Sequence, residues 1–95
     1  MNTEIKTLNF DIHSEAEEYL RKKITRIHVS KNMIVDILVT LRRCKWYEAD
    51  VTVNFRWGVS IHVRERGYKL KTVIDKVMKK LNAKIKKEKE KVMEK

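Results

Sequence analysis

Between Met33 and Val63 the chain repeats one two-residue rhythm three times, and after Gly67 it abandons it. Met33, Val35, Ile37, Val39 and Leu41 form the first run. Ala49, Val51, Val53 and Phe55 oppose Glu48, Asp50, Thr52, Asn54 and Arg56, and Val59, Ile61 and Val63 oppose Ser60, His62 and Arg64. Successive side chains of a strand point to opposite faces, so three such runs build a sheet that is apolar on one face. Gly58 marks a tight turn between the last two strands, and Arg42 to Trp46 a looser one before them. From residue 68 to the end neither Gly nor Pro occurs, and Leu70, Val73, Ile74, Val77, Leu81 and Ile85 recur at helical spacing. A single helix over this stretch would be about 40 Å long at 1.5 Å per residue, more than a small sheet can cover. The apolar stripe stops after Ile85, so the chain from about residue 86 to 95 is expected to protrude or fray.

The first third supplies two further elements. Glu4 to Phe10 reads as a short strand. Ser14 suits a helix N-cap, with Glu17 three residues on completing a capping box. Ala16, Tyr19, Leu20, Ile24 and Ile27 then share one helical face. Glu15, Glu17 and Glu18 open that helix and Arg21, Lys22, Lys23 and Arg26 close it, an order that complements the macrodipole. Glu17–Arg21 and Glu18–Lys22 fall at i, i+4. The predicted order is β-α-β-β-β-α, an α+β domain over residues 1–95 with a four-stranded sheet. The strand–helix–strand crossover is expected to be right-handed. With one apolar sheet face, both helices must pack on it, which makes them neighbours and brings their basic ends onto one surface.

Charge narrows the function. The chain carries 23 Lys and Arg against 13 Asp and Glu, a formal +10 over 95 residues. Residues 69–95 hold eleven lysines against Asp75, Glu88, Glu90 and Glu94, so most of the excess sits on the long helix. A polyanion is the natural partner, because each phosphate neutralised by Lys or Arg releases counterions. Lys80, Lys84, Lys87 and Lys91 stand at i, i+4, i+7 and i+11 in a basic line that Lys76 extends by a turn. On the first helix Lys22 and Lys23 each share a face with Arg26. Two such ridges on adjacent helices would form a groove for the phosphate rows of helical RNA, recognising shape rather than sequence. A merely solvated lysine face is the competing explanation. Trp46, Tyr47 and Trp57 lie near strand ends, where cross-strand packing is expected ahead of base stacking.

Other classes find little support. His13, His28 and His62 are scattered and Cys44 stands alone, so neither a metal site nor an internal disulfide is expected. No Gly-rich phosphate loop or nucleophile elbow occurs, and Asp11, Asp36 and Asp75 are isolated. No enzyme activity, cofactor or small-molecule substrate is expected. No run of about 18 apolar residues and no signal-type N-terminus is present, which points to a cytoplasmic protein without membrane contact.

Particular stretches resemble the short form of the bacterial ribosome hibernation-promoting factor, the family that includes the ribosome-associated inhibitor. They are Phe10-Asp11-Ile12 leading to Lys23-Ile24-Thr25-Arg26-Ile27, Ala49-Asp50-Val51-Thr52-Val53, and Gly58 through Ile61-His62-Val63. The last is Val73-Ile74-Asp75 leading to Lys80-Leu81, Ile85 and Lys87 through Lys91. The resemblance implies a fold similar to double-stranded-RNA-binding domains. It also implies binding to 16S rRNA of the small ribosomal subunit, where mRNA and tRNAs meet, and silencing of idle ribosomes in stress or stationary phase. It assigns rRNA contact to Lys23, Arg26, Lys80 and Lys87, with Lys22, Lys76, Lys84 and Lys91 added from the charge pattern. A monomer off the ribosome is expected, with neither the long form's ribosome-pairing domain nor the inhibitor's acidic tail. The sequence departs from the family at Ala83, where an arginine is usual, and at Lys69-Leu70-Lys71, which lacks the usual acidic start of the second helix. The loop from His28 to Asn32 is also shorter than usual. Two other readings stay open: a generic double-stranded-RNA module using Lys69 and Lys71, and a lysine-rich adaptor docking on an acidic protein.

Overall fold

A computed structural model describes residues 2–27 and 31–93; expectations falling on residues 28–30, including His28, and on 94–95 lie outside it. The elements are β1 (Asn2–Leu8), α1 (Ser14–Thr25), a 3-10 turn (Lys31–Met33), β2 (Ile34–Arg43), β3 (Tyr47–Phe55), β4 (Ser60–Gly67) and α2 (Leu70–Met93). The order is β-α-β-β-β-α, as the periodicity predicts. The four strands lie in sequence order across the sheet. β1 pairs parallel with β2, and β2–β3 and β3–β4 pair antiparallel.

The alternation decides which face is covered. Ile37, Val39 and Leu41 on β2, Ala49, Val51, Val53 and Phe55 on β3, and Ile61 and Val63 on β4 form one buried cluster with Leu20 and Ile24 of α1 and the stripe of α2. Met78 joins that stripe, fully in the core, although the spacing did not single it out. Burying a side chain of this size stabilises by about 1.5–3 kcal/mol relative to leaving it in water. α2 packs over β3 and β4 and meets α1 at its side. The opposite sheet face is largely polar, with Leu38 exposed on it. There Asn54 donates to Asp36 at 2.6 Å and accepts from Ser60 at 2.5 Å.

Three local expectations are corrected. β1 ends two residues earlier than expected, because Asn9 takes a left-handed conformation (φ 68°) that turns the chain out of the sheet. Ser14 is the first residue of α1 rather than its cap. His13 occupies the cap position with extended dihedrals and no side-chain capping bond, and its carbonyl accepts from the Glu17 N–H at 3.0 Å. In β2 the register shifts between Ile34 and Asp36, so Ile34 is buried and Val35 is 47% exposed. A bulge of this kind inserts one unpaired residue and reverses the in–out phase before it. α2 runs as one helix from Leu70 to Met93. Trp57 stacks on Phe55 with ring centroids 4.9 Å apart, and its indole N–H donates to Glu88 at 3.0 Å. That contact ties the late helix to the β3–β4 turn, where Gly58 adopts φ +84°.

Candidate nucleic-acid interface

All the lysines singled out on α2 (Lys76, Lys80, Lys84, Lys87 and Lys91) are exposed, as are Lys22 and Arg26, while Lys23 is half-buried. Which way they face follows from the contacts of the two helices. α1 meets α2 at Asp75. The Tyr19 hydroxyl donates to the Asp75 carboxylate, and Lys23 Nζ lies 3.5 Å from it. Lys71 and Lys23 approach the Tyr19 ring to 5.2 and 5.4 Å. The bond to Asp75 raises the Tyr19 pKa above its ordinary value, with desolvation and the carboxylate's charge acting in the same direction.

The lysine line lies on the other flank. Lys80 Nζ donates to Glu65 of β4 at 2.7 Å, and Lys84 Nζ to the His62 carbonyl at 3.2 Å. At 100° per residue, Lys80 and Lys84 stand about 140° and 180° around α2 from Asp75. Lys79 and Lys86 stand only about 40° and 20° from it, before the lysine line is reached. The expected groove between two basic ridges is therefore corrected. Lys22, Lys23 and Arg26 form one ridge beside the helix seam, and Lys76 to Lys91 form a second beyond the back of α2. The result is a convex basic surface about one helix diameter across, roughly 10 Å or more. Lys79 and Lys86 stand between the ridges. Sequence reasoning missed both because the orientation of α2 over the sheet is a tertiary fact.

Acidic groups temper this surface, among them the exposed Glu90, about 60° around α2 from Asp75. Asp75 sits within the seam. Glu65 is held below its ordinary pKa by the hydrogen bond from Lys80, with burial opposing that shift and the charges of Lys80 and Lys76 assisting it. Glu65, Lys76, Lys79, Lys80 and Ala83 line a shallow depression on this flank. An arginine at position 83 would project from the same patch. Among the described residues, Lys76, Lys87 and Lys91 form no ion pair. Exposed cations in a row, free of acidic partners, are what phosphate neutralisation requires.

Comparison with known proteins bears on the family and the fold. The sequence profile described as sigma 54 modulation protein / S30EA ribosomal protein matches residues 3–93. A ribosomal subunit interface protein from Coxiella burnetii superposes with a TM-score of 0.87 at 23% identity, covering 94% of this chain and 98% of that one. The Protein Y N-terminal domain of Thermus thermophilus gives 0.80 at 23% identity, covering 92% and 98%. No curated protein sequence matches.

Proposed function

Since the chain belongs to the sigma 54 modulation protein / S30EA ribosomal protein family, we propose that it binds 16S rRNA in the small-subunit channel shared by mRNA and tRNAs. Occupying that channel blocks translation on idle ribosomes. This agrees with the resemblance to the hibernation-promoting factors seen in the sequence. The observation that carries the reading is the exposed lysine line of α2. Lys76, Lys80, Lys84, Lys87 and Lys91 span four turns and present cations to a phosphate backbone, with the α1 ridge of Lys22, Lys23 and Arg26 as a second contact. Such contacts fix position and supply affinity without reading bases. No step requires catalysis: occupancy alone excludes mRNA and tRNA.

Co-sedimentation with purified small subunits tests this. Binding should weaken steeply as salt rises, because each lysine–phosphate contact releases a counterion. Lys80→Glu with Lys87→Glu should abolish binding while the circular dichroism spectrum stays unchanged. A double variant that sediments like the parent would remove the α2 flank from the interface. Equal affinity for a plain RNA duplex would point to a general double-stranded-RNA module instead.

A further inference from the structure

The end of the molecule where β4 hands over to α2 carries a feature that the lysine surface does not use. Tyr68 is 81% exposed, although Gly67 of β4 and Leu70 of α2 fix its backbone on both sides. Its ring meets Trp46 edge-on, with centroids 6.4 Å apart and planes at 83°. The Arg66 guanidinium lies over the Trp46 ring at 4.8 Å. Trp46, Arg66, Gly67 and Tyr68 together line a shallow depression of about 210 Å³. The other aromatics near strand ends are engaged within the fold. Trp57 stacks on Phe55, and Tyr47 packs edge-on against Phe10 beneath Arg43. Tyr68 has no such role in the core.

We propose that Tyr68, supported by Trp46 and Arg66, is a stacking platform for one unpaired RNA base. The Tyr68 and Trp46 rings already meet edge-on and Arg66 already lies over Trp46, so part of the ordering cost is met before a base settles there. The platform's neighbours are cationic: Arg66 lies over the Trp46 ring and Lys69 follows Tyr68 in the chain, with Glu48 the neighbouring acid, across the strand pair from Arg66. Aromatic faces beside exposed cations are the common pattern of single-strand binding, where the base stacks and the phosphate meets a cation. An acidic protein would use the cations and leave the ring idle. The site rests on the RNA-binding reading above but occupies a different end of α2. Leu70, where α2 begins just after Tyr68, lies about 15 Å along the helix axis from Lys80, from the rise per residue.

Fluorescence anisotropy of a labelled short oligoadenylate, titrated with the whole chain, tests the site. Tyr68→Ala should weaken binding about 5- to 150-fold, the range expected for one base–aromatic stack. Tyr68→Phe should retain it, since stacking needs the ring and not the hydroxyl. An abasic oligomer of equal length should bind the parent as weakly as oligoadenylate binds Tyr68→Ala. Equal oligoadenylate affinity for parent and Tyr68→Ala would overturn the platform, as would equal affinity of the parent for the abasic oligomer. An oligoglutamate that displaced the RNA equally well from parent and Tyr68→Ala would also overturn it, marking an acidic-protein contact. Small-subunit sedimentation of Tyr68→Ala separates the two claims. If it is retained while oligoadenylate discrimination fails, the platform alone is wrong; if the parent itself does not sediment, the ribosome reading is wrong.

Discussion

Replacing Glu65 by Gln should tighten RNA binding, although it removes an interaction from the free protein. Lys80 Nζ sits 2.7 Å from Glu65 Oε2, with the two side chains 51% and 25% exposed. Pairs exposed to this degree contribute about 0–1 kcal/mol. A phosphate that recruits Lys80 must first break that pair, so deleting the carboxylate raises affinity by up to about fivefold. The freed lysine also adds at most one neutralised phosphate. The slope of log affinity against log salt should therefore steepen by about 0.7–0.9. The folded protein loses up to about 1 kcal/mol, seen as a fall in Tm of about 4–8 °C at most. Sedimentation with small subunits at several salt concentrations reads the first two quantities, and thermal denaturation the third. In a Lys80→Ala background the affinity gain should vanish, because the two residues act on one contact. Weaker binding by Glu65→Gln would mean that the carboxylate positions Lys80 rather than competes for it. An undiminished gain without Lys80 would reduce the effect to net charge.

The Glu65 pair also sets a pH dependence: because its folded pKa is lowered from 4.5, its contribution is complete above that value and lost as pH falls through the lowered one. Acid titrations of parent and Glu65→Gln should accordingly begin to approach each other as pH falls below about 4.5 and meet below the lowered value. Tyr19 has the opposite sign. Its folded pKa is raised from 10.0, so the stability the parent holds over Tyr19→Phe should be full below pH 10.0 and fade above it, as read by denaturant titration. At neutral pH that difference should be about 1 kcal/mol, the loss of one partly exposed hydrogen bond. For the bulge, Val35→Lys should change stability by no more than about 0.5 kcal/mol. Ile34→Lys should instead unfold the domain or cost more than about 4 kcal/mol, since it buries an unpaired charge; similar effects at the two positions would refute the shifted phase.

The architecture was legible because period alone separates strand from helix. The inward residues of β3 and β4 and the stripe of α2 are where the alternation and the helical spacing put them. The misplaced details share a cause, which is that each depends on a single backbone torsion or contact. One unpaired residue at Val35 reverses the phase at the start of β2, and no pattern of apolar residues announces it. Asn9 ends β1 through one left-handed residue. At the candidate site, the lysine line was visible as a helical face. Its orientation was not, because the sequence suggests a surface ion pair for Asp75 without naming the partner, and it is the pairing with Lys23 and Tyr19 of α1 that fixes which way α2 faces. Trp46 and Trp57 looked alike as strand-end aromatics. Only their neighbours, Tyr68 and Arg66 for one and Phe55 and Glu88 for the other, distinguish a surface platform from a clamp.

The most direct test of the central claim is a density map of small subunits incubated with the whole chain. It should show the domain in the channel shared by mRNA and tRNAs, with Lys76, Lys80, Lys84, Lys87 and Lys91 of α2 along the 16S rRNA backbone and the Lys22–Arg26 ridge against a second phosphate row. Density for the domain elsewhere on the subunit, or with the polar sheet face turned to the rRNA and α2 to solvent, would contradict the account.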